Sequence, residues 1–83
     1  MSVLEIRLKA ARDAKGIWHK GEIINVRIYI AKTPRNEIIA AIKTIRDQSL
    51  LRTLWEAGLD TTLQTVVNNQ SKRLAKEAEE EVV

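Results

Sequence analysis

Ile24-Asn25-Val26-Arg27-Ile28-Tyr29-Ile30 alternates apolar and polar side chains without a break, and each of its apolar members is β-branched. Such residues lose χ1 freedom in a helix and pack well on a pleated surface. Period-two alternation puts Ile24, Val26, Ile28 and Ile30 on one face of a strand, with Asn25, Arg27 and Tyr29 on the other. The stretch reads as a half-buried strand over residues 22–31.

Residues 3–11, Val-Leu-Glu-Ile-Arg-Leu-Lys-Ala-Ala, repeat this pattern twenty positions earlier, with Arg7 in the place of Arg27. A helix is the rival reading, because Ser2 and Glu5 suit a capping box and Gly16 suits a helix C-terminus. The arginines favour strands. At 100° per residue a helical Arg7 projects from the middle of an apolar arc made by Leu4, Ile6, Ala10 and their neighbours, and Arg27 meets the same difficulty. Unpartnered charge in such a place is costly. Asp13-Ala14-Lys15-Gly16 and Lys20-Gly21 then serve as turns or bulges, leaving Ile17-Trp18-His19 as a short strand or loop. The two segments form an antiparallel hairpin, with Glu5 across from Arg27.

Three helices follow. Thr33-Pro34 supplies an N-cap and a first-turn proline for a helix over 34–46 that buries Ile38, Ile42 and Ile45. Asp47 or Ser49 caps a second over 48–57, carrying Leu50, Leu51, Leu54 and Trp55, with Trp55 assigned to the core. Gly58 closes it, pairing Leu54 with Leu59 as in a Schellman motif. Asp60 caps a third over 60–77, through Leu63, Val66, Val67 and Leu74. The acidic run at 77–83 opposes the helix dipole and is expected to fray. The predicted fold is therefore α+β, a single domain over 1–76; the alternative is an all-α bundle in which both alternating segments are helices.

At 83 residues the chain has room for one small core, and the absence of Phe makes that core aliphatic. No cysteine is present, which removes disulfides and thiolate metal sites. No apolar run approaches the roughly 20 residues of a membrane span. These features suit a soluble, intracellular (cytoplasmic) protein. Net charge is +3, unevenly placed: residues 1–35 hold eight Lys/Arg against three Asp/Glu, or +5, while 36–83 hold six against eight, or −2. That asymmetry fits either a polyanion or head-to-tail association.

Chemistry-bearing patterns are scarce. His19 is the lone histidine and has no carboxylates at ligand spacing, so it reads as a solvent-facing turn residue. The glycines at 16, 21 and 58 form neither a phosphate loop nor a dinucleotide fingerprint, and no serine has a His–acid pair. The expectation is no catalytic residue, no cofactor, no metal and no small-molecule substrate, hence no enzyme.

Two surfaces remain. On the hairpin, Arg7, Lys9, Arg27 and Tyr29 share the outer face, with Arg12, Lys15, Trp18 and Lys20 in the turns. Basic residues interleaved with aromatics suit phosphate contact and stacking. Trp18, set between two glycine turns, is also the candidate protein-interface anchor. Further along, Glu56-Ala57-Gly58-Leu59-Asp60-Thr61-Thr62-Leu63-Gln64-Thr65 and the residues up to Asn69 resemble the turn and recognition helix of helix-turn-helix DNA-binding domains. That resemblance implies base contacts from Thr61, Thr62, Gln64 and Thr65, although Thr53 and Gln64 stand where the motif has apolar residues. Strand-helix-helix order is also similar to ribbon-helix-helix repressors, from which a second strand and a third helix depart. The leading expectation is a small binding module acting by self-association or on a protein partner, aided by an open ribbon edge. The alternative is nucleic-acid binding through the basic ribbon or the corner at 50–69.

Overall fold

The computed structural model describes residues 2–82, and every regular element among them is helical. α1 spans Val3–Asp13, α2 Ile17–Lys32, α3 Arg35–Thr44, α4 Gln48–Glu56 and α5 Thr61–Val82. The expected α+β class and its β-hairpin are overturned. Residues 3–11 lie in α1 and residues 22–31 lie within α2, so the all-α bundle describes the chain. Ile17-Trp18-His19 is the first turn of α2 and not a short strand or loop.

Local chemistry explains α1. The Ser2 hydroxyl oxygen accepts the Glu5 amide at 3.2 Å, which satisfies one of the orphan donors of the first turn. At the other end the Ala14 amide bonds back to Ala10, and Gly16, at φ +61°, takes the backbone through a region that other residues avoid. The chain can then reverse into α2 within three residues.

α2 explains the misreading. Two residues along a helix advance about 200°, so an unbroken i, i+2 alternation sends successive apolar side chains to opposite sides. Val26 and Ile30 point inward while Ile24 and Ile28 point outward. An arginine within the apolar arc excludes a helix only where that helix must gather its apolar residues on one buried face. α1 and α2 do not: Ile6 and Val3 on α1 and Ile24 and Ile28 on α2 are all exposed. Arg7 is therefore not buried among apolar neighbours, and its guanidinium lies over the Tyr29 ring, 5.5 Å from the centroid. Arg27 is exposed.

The later helices begin and end close to where their caps place them. Asp47 Oδ1 accepts the Ser49 amide at 2.8 Å and Asp60 Oδ1 accepts the Leu63 amide at 2.9 Å. Gly58 takes φ +86°, with its amide bonded to Trp55 O at 3.1 Å, while Leu54 and Leu59 both pack into the core. Thr33 does not cap α3. Its hydroxyl donates to Tyr29 O at 2.7 Å, closing α2, and Pro34 occupies the cap position of α3. The acidic run continues helically to Val82.

The core is aliphatic: Leu4, Leu8 and Ala11 from α1, Ile38 and Ile42 from α3 with Ile45 just after it, Leu50, Leu51 and Leu54 from α4, and Leu63, Val67 and Leu74 from α5. α1 sits between α2 and α4, and α5 packs on α3 and α4. From α2, sixteen residues long, only Val26 is fully buried. Ile23, Tyr29 and Ile30 are half-buried against the core.

Candidate functional site

Four large apolar side chains of α2 face away from the protein: Ile17 (80% exposed), Trp18 (76%), Ile24 (53%) and Ile28 (46%). Ile17, Gly21, Ile24, Ile28 and Ala31 are spaced alternately by four and three residues, the spacing of a coiled-coil seam. Ile24, Arg27, Ile28 and Ala31 enclose a shallow depression of about 330 Å³. Residues at i, i+3, i+4 and i+7 form the four corners into which a facing helix inserts one side chain. Ile17, Lys20, Gly21 and Ile24 repeat those offsets one heptad earlier.

Exposed cations border this stripe. Lys20 and Arg27 run along one edge, and Lys32 lies with Asn25 and Trp18 on the other. The single acidic residue of α2, Glu22, is half-buried on the inward half of the helix. The outer half of α2 is thus an apolar seam with cationic borders.

The sequence-predicted nucleic-acid contacts do not share one face. Arg7 and Tyr29 form the cation–π pair on the inner side of α2, with Tyr29 half-buried against the core. Arg12 is held within the fold: its Nε donates to Asp13 (3.0 Å), and its Nη1 donates to Asp47 (3.0 Å) and to Ser49 Oγ (2.9 Å). Lys9 is half-buried on α1 and Lys15 is exposed in the α1–α2 connection. Only Trp18, Lys20 and Arg27 border the outward face of α2. No ribbon or ribbon edge exists among the described residues.

At the α4–α5 corner Thr61, Thr62 and Thr65 are exposed and Gln64 is half-buried. Thr53 tolerates burial because its hydroxyl donates to Ser49 O at 2.9 Å. Trp55 corrects another expectation. It is 44% exposed, not core, and borders a groove of about 220 Å³ with Leu51, Arg52, Val67 and Asn68.

Charge and polarity elsewhere serve to join helices. His19 is not a free turn residue: its Nδ1 lies 2.7 Å from Ala11 O and its Nε2 lies 3.1 Å from Glu56, tying α2 to α1 and α4. Arg35 bonds Asp60 and Arg46 bonds Glu77, each at 2.6 Å. The Asp47 carboxyl is held below the usual carboxylate range, first by the Ser49 hydroxyl and amide and then by Arg12. Asp60 is lowered likewise, chiefly by Arg35 and then by the Leu63 amide. Gln70, fully buried, donates through Nε2 to Ile45 O at 2.6 Å.

Sequence reasoning missed Ile17, Ile24 and Ile28 as surface residues, because the strand reading put Ile24 and Ile28 on its buried face. The signal that identifies them is the same alternation, projected at 100° per residue. Among the described residues no helix is long and apolar enough to cross a membrane. Comparison with protein-family models, with curated proteins and with solved structures returns no match.

Proposed function

We propose that this protein is a small non-enzymatic association module that binds another helical surface through the outer face of α2. The observation that carries this reading is the placement of Ile17, Ile24 and Ile28 outside the fold at seam spacing, on a helix with one fully buried residue. An exposed apolar stripe rimmed by polar residues is characteristic of interaction surfaces, and helix-in-groove recognition uses such i, i+3, i+4, i+7 anchors. Trp18 at the edge of the stripe adds a large side chain of the type enriched in binding hot spots. The compartment that fits this cysteine-free chain best is the cytoplasm.

Two measurements test this together: sedimentation over a concentration series, and titration with a synthetic amphipathic helix whose seam is Leu and whose flanks are Gln. The wild-type chain is expected to associate in at least one of them, and the Ile24→Ser/Ile28→Ser variant to lose that association while keeping its circular dichroism. Association unchanged in the variant, or none by the wild type, overturns the reading.

A second reading is nucleic-acid binding at the α4–α5 corner. It draws on the outer face of α5, where Thr61, Thr65, Asn69, Lys72 and Lys76 are exposed and no acid stands between Asp60 and Glu77. A gel-shift titration at low salt separates the two. A shift weakened by Lys72→Gln and Lys76→Gln supports the corner, whereas the absence of any shift eliminates it.

A further inference from the structure

We infer that the helix received by α2 is an acidic one: an amphipathic partner with apolar residues along its seam and Glu or Asp on both flanks. This rests on the reading of α2 as the association face and adds the chemistry of its occupant. The seam decides that the occupant is a helix. The depression formed by Ile24, Arg27, Ile28 and Ala31 is one such recess, and the same offsets recur one heptad earlier at Ile17, Lys20, Gly21 and Ile24. A partner helix fills such recesses with residues at its own seven-residue repeat. At Gly21 nothing lies within 4 Å of where a Cβ would stand, so the upstream part of the seam is uncovered.

The borders decide the charge. Lys20, Arg27 and Lys32 are exposed, and among the described residues none of them makes an ion pair. A second copy of α2 is a poor occupant. Antiparallel pairing sets Lys20 and Arg27 of one chain beside Lys20 and Arg27 of the other, and parallel pairing sets Arg27 beside Lys32. Like charges at these positions select against a pairing, and opposite charges select for it. Acidic flanks on the partner turn all three cations into attractive contacts.

The test uses two synthetic helices of about three heptads with Leu along the seam, one carrying Glu at its flanking positions and one carrying Lys. Binding is followed by Trp18 fluorescence in the full chain carrying Trp55→Phe. The Glu-flanked helix is expected to bind at least about tenfold more tightly at low salt, with the margin shrinking as salt rises. The Lys20→Glu/Arg27→Glu variant is expected to reverse the preference, which separates charge recognition from any loss of folding. Equal binding of both helices overturns this inference and leaves α2 as an association face. A concentration-dependent dimer that excludes both helices and is lost in Ile24→Ser/Ile28→Ser also overturns it, in favour of a second copy. Binding to neither helix, with co-sedimentation on phosphatidylserine-containing vesicles, overturns both readings and assigns the face to a lipid surface.

Discussion

α2 and α4 are both rich in aliphatic residues, yet they are used in opposite ways. α4 has nine residues and buries four of them, Leu50, Leu51, Thr53 and Leu54. α2 has sixteen and fully buries one. Apolar content is not what separates them. In α4 the aliphatic residues fall three and four apart on one side, so burial of that side accounts for all of them. In α2 they fall two apart, which splits them between an inner face that the fold covers and an outer face that it leaves open. Apolar residues distributed around a helix mark one that is enclosed on several sides, and this protein encloses α2 on only one.

The contrast can be broken most forcefully at Leu54. Its replacement by alanine is expected to destabilise the chain by about 2–5 kcal/mol in urea unfolding, since Leu54 is wholly buried. A loss under about 1 kcal/mol would mean that α4 is not the buried helix it looks to be. Gln70→Ala comes next. It leaves the Ile45 carbonyl without its partner inside the core, at an expected cost of about 1–3 kcal/mol.

Asp47→Ala removes the cap of α4 and is expected to cost about 0.5–2 kcal/mol near neutral pH. The pH dependence follows from the lowered carboxyl. A group whose folded pKa lies below its unfolded value stabilises the fold above the unfolded value, about 3.9 for Asp, and that contribution disappears as pH falls through the folded value. Wild type and Asp47→Ala should therefore converge in stability in acid, from about pH 4 downward. A gap that persists in acid would show that the ionised carboxylate is not what matters. The smallest effect belongs to α2: Ile24→Ser/Ile28→Ser should shift monomer stability by no more than about 0.5 kcal/mol per site. A larger loss would place those isoleucines in the core and close the distinction between the two helices.

The legibility of the chain divides along the same line. Helices α4 and α5 were readable because local signals mark their ends: Asp47, Gly58 and Asp60 each do what their residue type does best. α1 and α2 have signals too, Ser2 with Glu5 and then Gly16, but the alternating pattern between them points the other way. That pattern distinguishes strand from helix only if all apolar residues are to be buried by the chain itself. Where some are left outside, as Ile24 and Ile28 are, the premise fails and so does the inference. Trp55 reads as core because it shares a helix face with Leu51, yet it lies at the edge of that face and is exposed. Trp18 was recognised as exposed from the glycines around it, though within a helix and not a loop. Gln70 was not legible as a core residue, because nothing in the sequence shows that the Ile45 carbonyl will be waiting for it.

The Arg12 cluster has a consequence for how the molecule assembles. Arg12 reaches Asp47 across 35 positions and Ser49 across 37, so α2 and α3 both lie inside the loop that it closes. Bringing α1 onto α4 is therefore a long-range encounter, whereas α2 meets α1 through a connection of a few residues. Contacts distant in sequence slow folding most, because the entropy of closing the loop is lost before the contact can stabilise anything. The slow step should then be set by α1 and α4, with the outward residues of α2 unstructured by contacts at that stage. Exchange of those outward residues should then leave the speed at which the chain folds unchanged.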